Sequence, residues 1–325
     1  MSPSTPTRAV PAFLLIALLG GCGAASSGGS QPLLTLPAEL ASSAHASQRP
    51  SGFRLGVWVF TAQLYGEDLK IYHRNGLALT YFETLTSGVA SPSGTVTAPD
   101  GRWYVANGGH SNVLVYRTTT YGPQGPTQVL DDYGQRPVNV GLTPNRDLVA
   151  VSNGATTSGG AGSVSIYLNR NAEPARMLTY GKDILAGMGV AIDHLGNCYW
   201  SFNDPKTHSG SIVEFTACAG KGTVVVSAIP MVGGLALDRD DNLYYVDQVT
   251  GIYRCDRATK CVLFSTGYGT PANVNFDRDY KHLWVADESG YIDAVSPQNG
   301  AIVYKVKAAA GSSDPPFGIA PAPGS

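Results

Sequence analysis

The sequence predicts an all-β fold, a six-bladed β-propeller of four-stranded blades. Three observations lead there: a composition rich in Gly, Pro and Tyr, short apolar runs bounded by turn residues, and the return of these runs about every 45 residues. Of 325 residues, 43% are hydrophobic and 14% charged, so the chain can bury a large core. Its formal charge of -2 gives no electrostatic basis for binding nucleic acid.

The repeat is clearest in the first strand of each unit, which ends in a Pro or Asp turn: "GTVTAPDG", "VNVGLTPNRD", "GVAIDHLGN", "GLALDRDDN", "NVNFDRDYK" and "FGIAPAPG". Pro99, Pro144, Asp193, Asp238, Asp277 and Pro321 mark the register. A second strand follows in "RWYVAN", "LVAVSN", "CYWSFN", "LYYVDQ" and "LWVADE", then a third such as "SNVLVYR", then a fourth such as "TVVVSA". The runs are β-branched and aromatic, and many are apolar at nearly every position, as in blades packed face to face. The C-terminal "FGIAPAPG" is a first strand with nothing after it, whereas "LGVWVFTA", "LKIYHRN" and "LALTYFETL" lack a first strand. Joined, they complete a sixth blade and close the ring, removing open sheet edges.

The domain boundaries follow. Residues 1–21 read as a leader with a weakly basic start and the apolar run "AVPAFLLIALL", too short to span a bilayer as a stable helix. Residues 22–52, with "GAASSGGS", read as a flexible tether, and 53–325 as the propeller. "LGGC" at Leu19–Cys22 resembles a bacterial lipobox. The resemblance implies lipid on Cys22, which would hold a folded domain at a membrane surface; the other reading is an ordinary secretory signal with a chance cysteine. Either implies export to an oxidising compartment of the cell envelope. The remaining four cysteines then suit two local staples, Cys198 with Cys218 on successive strands and Cys255 with Cys261 across a turn. A metal or redox pair is the alternative, without CxxC spacing to support it.

"YVAN", "YYVDQ" and "WVADE", each followed by Gly or Asn and an apolar strand, resemble the repeat of NHL and YncE-type propellers. That group includes scaffolds that bind protein or glycan, gluconolactonase-like metal hydrolases and amidating lyases, so the resemblance does not select a function. In the usual propeller topology the second-to-third and fourth-to-first loops share one face. Asn107, Asn153, Asn203, Asp247 and Asp287 stand at equivalent points before the second-to-third loops. They could form a polar ring for a ligand or cation, or bond to turn backbone. Tyr133, Tyr180 and Tyr268 share a Tyr-Gly dipeptide in three fourth-to-first loops. They suit recognition of a sugar or peptide, or pack between blades.

Asn139, Asn273 and Asn275 on first strands could look into the channel. A gluconolactonase-like site needs a Glu and an Asp besides two Asn to hold a divalent cation, and the first strands supply no Glu at their channel ends. Of the histidines, His110 and His208 reach the loop face, too few for the zinc of an amidating lyase. No GxSxG, HExxH or GxxxxGK[ST] motif occurs. The reading is therefore a monomeric, noncatalytic binding propeller for a protein or envelope glycan, with no cofactor required beyond a divalent cation if one is held. A metal-dependent lactonase is the alternative.

Overall fold

A computed structural model describes residues 57–143, 148–154, 161–169, 171–181, 186–308 and 314–322. The leader, the Cys22 lipidation site, the tether, residues 53–56 and the Pro144 register mark lie outside them. The strands run in chain order. The first three are β1 (Val57–Gln63), β2 (Asp68–Asn75) and β3 (Ala78–Leu85). The second blade holds β4 (Pro92–Thr97), β5 (Arg102–Asn107), β6 (Asn112–Thr119) and β7 (Gly122–Asp131). The third holds β8 (Arg136–Leu142), β9 (Leu148–Gly154), β10 (Ser163–Leu168) and the short β11 (Arg176–Leu178). The fourth holds β12 (Ala186–Ile192), β13 (Cys198–Asp204), β14 (Ser209–Phe215) and β15 (Thr223–Ile229). The fifth holds β16 (Val232–Leu237), β17 (Leu243–Asp247), β18 (Gly251–Asp256) and β19 (Lys260–Ser265). The sixth holds β20 (Pro271–Phe276), β21 (Leu283–Asp287), β22 (Tyr291–Val295) and β23 (Ile302–Lys307), and β24 (Gly318–Pro321) ends the chain.

These strands form six four-stranded antiparallel sheets. The closing blade has the order β24-β1-β2-β3, with Val59 opposite Pro321, Thr61 opposite Ile319 and Ala62 opposite Gly318. Helix is confined, among the described residues, to two three-residue 3₁₀ turns at Gly108–His110 and Thr216–Cys218. The predicted fold, including closure by both termini, is the observed one.

The register marks have a local cause. The Asp193 carboxylate accepts hydrogen bonds from the backbone of Leu195 (2.9 Å) and Asn197 (2.7 Å), and Asp238 does the same for Asp240 and Asn242 (both 2.9 Å). Asp277 caps its turn by accepting from the His282 backbone at 3.0 Å. An acidic side chain is the natural residue at such a turn because it satisfies otherwise bare N–H groups.

Between blades, bulky second-strand residues fill the interface. Trp103, Trp200 and Trp284 are fully buried, and the Phe60 ring stacks on Trp103 at 4.1 Å, joining the closing blade to its neighbour. The Trp200 indole donates to Ser152 Oγ at 3.0 Å, so its polar edge is satisfied across the interface.

Both predicted disulfides are present, Cys198–Cys218 and Cys255–Cys261. One detail differs: Cys218 lies in the 3₁₀ turn after β14 rather than on a strand. Cys198 is paired with Phe215 in the ladder, and the turn curls Cys218 back over it. Closing loops of 20 and 6 residues, the bridges restrict the unfolded chain more at the first site. They are compatible with an oxidising compartment. No helix among the described residues is long and apolar enough to cross a membrane.

Candidate functional site

The two ends of the propeller axis differ. At the end bearing the second-to-third and fourth-to-first loops, the first strands begin with buried residues. Leu64, Val138, Met188, Val232, Ala272 and Phe317, near the ends of strands on this side, belong to one buried apolar cluster. Above it stand four polar side chains from different loops: Tyr65 after β1, Arg136 opening β8, Glu288 after β21 and Asp314 before β24. Their charges act on one another. Burial, then the charges of Glu288 and Asp314, raise the Tyr65 hydroxyl above its usual value, while Arg136 opposes them. The Gly66 backbone donates to the Asp314 carboxylate, fastening the Tyr65 loop to the strand that closes the ring.

Glu288 is the most perturbed of the four. Burial, reinforced by Asp287 and Asp314, pushes its carboxyl up to about 7, and its Oε1 is buried without a hydrogen-bond partner. Tyr65 is 54% exposed and Tyr133 55%, so the loop after β1 and the loop that leads to Arg136 each carry an open phenol. This arrangement suits recognition through hydrogen bonds and ring contacts.

The predicted polar ring is placed differently from an open one. Asn107, Asn153, Asn203, Asp247 and Asp287 are all buried. Asn107 accepts from the Ala90 backbone at 2.7 Å and donates to Gly88 O at 3.1 Å. Asn203 bonds both backbone groups of Val232 at 2.9 Å, tying its blade to the next. Asn153 donates to Ser165 Oγ at 2.9 Å, and Asp247 accepts from the Val249 backbone at 3.1 Å. Burial raises the Asp287 carboxyl, but backbone donors from Thr270, Gly269 and Ser289 outweigh it and hold the group below its ordinary value. Asn107, Asp247 and Asp287 fasten turns, Asn203 ties two blades together, and Asn153 bonds the neighbouring strand.

The three Tyr-Gly loops also part company. Tyr133 is open, whereas Tyr180 packs on Phe202 at 5.8 Å and Tyr268 bonds Ser265 Oγ at 2.7 Å beside a buried cluster. His110 and His208 are exposed on separate blades. Among the described residues no group of three or more His, Cys, Asp or Glu is placed to hold a metal.

At the opposite end the first strands enclose a cavity of about 180 Å³ that opens among the first-to-second turns. Asn139, Asn273 and Asn275 are among its lining residues, and His194, Asp241 and Arg278 stand at its rim. His194 Nδ1 lies 2.7 Å from Asp241 Oδ1 across two blades.

The sequence reading did not single out Tyr65, Arg136, Glu288 or Asp314. Two signals were available: Arg136 sits inside the quoted loop "DDYGQRP", and Glu288 follows the ring residue Asp287. None of the four recurs from blade to blade, and that individuality is what separates a site residue from a repeat residue.

Stability should carry the mark of the buried carboxyls. Burial lifts Asp132 and Asp293 to about 6 and Glu288 to about 7, from 3.8, 3.8 and 4.5. Each binds its proton more tightly folded than unfolded, so stability is fullest near the unfolded values and falls as pH rises through about 4 to 7. Calorimetry is expected to give a Tm several degrees higher at about pH 5 than at about pH 7.5, with a smaller difference in Asp132→Asn. A Tm that rises over that interval would contradict the burial of these charges.

No protein-family model matches the chain, and no curated protein does. Among solved structures it is similar to a functionally unknown protein from Desulfotomaculum acetoxidans, at 12% identity over 83% of this chain and 100% of that one, with a TM-score of 0.55. It is also similar to a calcium-binding protein, regucalcin, from Agrobacterium tumefaciens, at 15% identity over 67% of this chain and 74% of that one, with a TM-score of 0.49. The first likeness shows the shared fold; the second is too loose to carry an argument.

Proposed function

We propose that this chain is an exported, lipid-anchored, noncatalytic propeller that acts as a monomer and binds a protein or envelope glycan through its loop-bearing face. The observation that supports this most is the convergence of Tyr65, Arg136 and Glu288 at that end, with Tyr133 exposed in the loop that leads to Arg136. Arg and Tyr carry large shares of binding energy where they are held in place. The fastened loops reduce the ordering cost on binding. Lipid on Cys22 would keep that face at a membrane surface, and no step of catalysis is required.

Co-sedimentation with purified peptidoglycan and cross-linking to envelope proteins test the two ligand classes. Arg136→Ala and Tyr133→Ala are each expected to weaken capture roughly tenfold or more, a loss of about 1.4 kcal/mol at least. Tyr180→Ala and Tyr268→Ala should lower stability with little effect on capture by the folded fraction. Lactone hydrolysis abolished by chelation, without capture of either ligand, would replace this reading with a metal-dependent hydrolase.

A further inference from the structure

Tyr65 and Tyr133, the open phenols of the loop-bearing face, have matching surroundings. Asp131 Oδ1 accepts from the Tyr133 backbone N–H at 2.9 Å, and the Glu173 carboxylate accepts from the Tyr133 hydroxyl. At Tyr65 the pair is Asp314, whose carboxylate accepts from the next backbone N–H at Gly66, and Glu288, whose charge acts on the phenol with that of Asp314. Each open ring therefore has two carboxyl groups beside it.

The Tyr133 ring is not placed by the needs of the repeat. Tyr180 and Tyr268, in the matching loops of other blades, are packed or bonded within the protein. Tyr133 instead holds a left-handed backbone, φ 45°, which a residue with a Cβ adopts at a cost. Internal packing does not account for a bulky side chain held there with its ring in solvent.

A phenol face attracts a cation, and carboxylates beside it attract the same charge. A neutral sugar gains nothing from that charge, and an anionic glycan is repelled by it. Arg136 opposes the carboxylates at Tyr65, and its guanidinium offers donors to the carbonyls of a peptide. It follows Tyr133 by three residues, so their Cα atoms lie within about 11 Å of each other, and its charge reaches Tyr65. An extended segment of roughly ten residues, at about 3.3 Å each, is long enough to span both rings.

We propose that the partner at this face is a basic protein segment, an extended stretch with at least two Lys or Arg side chains, one for each phenol and its carboxyl pair. The proposal rests on the loop-face reading above and narrows its two ligand classes to one.

Fluorescence-anisotropy titration of the purified protein with a labelled ten-residue peptide of alternating Lys and Gly, and with its Glu-Gly counterpart, tests it. The Lys peptide should bind and the Glu peptide should not, and raising NaCl from about 50 to about 300 mM should weaken binding several-fold. Tyr65→Ala and Tyr133→Ala should each weaken it about threefold or more, whereas the Phe variants keep the ring and most of the affinity. Glu173→Gln, which keeps an acceptor and removes a charge, should weaken it too. Both tyrosines are more than half exposed, so an unchanged Tm is expected and shows that the variants fold. Equal binding of the two peptides would overturn the proposal, as would Lys-peptide binding that both alanine variants leave unchanged. Peptidoglycan captured through Tyr133 and Arg136, with no binding of the Lys peptide up to about 1 mM, would overturn it and leave the loop-face reading standing. Failure of both ligands would remove that reading as well.

Discussion

A chain ending at Pro316 is expected to lose its cooperative fold. The deletion removes β24, whose four residues are buried and form the innermost strand of the closing blade. Ile319 and Ala320 are 0% exposed, and Ile319 packs in one cluster with Val59 and Trp284, so it bridges the closing blade and the sixth. Burial of one such side chain is worth about 1.5–3 kcal/mol, and the ladder to β1 is lost with it. The larger consequence is topological, because β1 becomes an open edge and the ring is no longer covalently clasped. Thermal unfolding should show a Tm lower by more than about 10 °C, or no soluble protein. Moving residues 318–322 to a position ahead of Val57 in a circular permutant should restore folding. A truncated chain that melts within a few degrees of the full one would show that the closing blade does not depend on both termini.

Trp103→Ala should produce the largest loss from one side chain. The indole is 0% exposed, stacks on Phe60 at 4.1 Å with an interplanar angle of 14°, and tilts against Tyr116 at 4.9 Å. Its Nε1 donates to Thr95 Oγ1 on the adjacent first strand, so the variant also leaves that hydroxyl short of a donor. Removing an aromatic of this size from a packed interface costs about 3–5 kcal/mol. For a domain of this length that corresponds to a Tm lower by roughly 10 °C. Trp103→Phe should recover most of it, since the stack survives and only the hydrogen bond is lost. A near-neutral Trp103→Ala would mean that the blades are held by their loops and not by this interface.

The fold was legible because its determinants repeat. Asp193, Asp238 and Asp277 close equivalent turns by one kind of hydrogen bond, so a repeated turn chemistry appears as a repeated letter. The disulfide partners were legible from proximity along the chain, although the 3₁₀ turn that carries Cys218 has no distinctive residues to announce it. The same repetition obscured the candidate site. Asn107, Asn203 and Asp287 recur because turns need them, and their bonds go to backbone.

Burial decides the remaining cases, and it depends on neighbours that are distant in sequence. Tyr133 is open while Tyr268 is packed, though both stand in a Tyr-Gly loop. Glu288 owes its raised carboxyl to burial and to Asp314, which reaches it only when the termini close the ring. Asn139 is buried on its first strand, and the space its side chain occupies is set by Gly94 of the preceding blade.

The central claim, recognition through the loop-bearing face, is tested most directly by hydrogen exchange of the protein with and without its captured envelope ligand. Protection is predicted in the segments around Tyr65–Gly66, Tyr133–Arg136 and Glu288, with the first-to-second turns unchanged. Protection confined to the outer strands or to the turns around Pro99 and His194, with the Tyr65 and Arg136 segments exchanging as before, would contradict it.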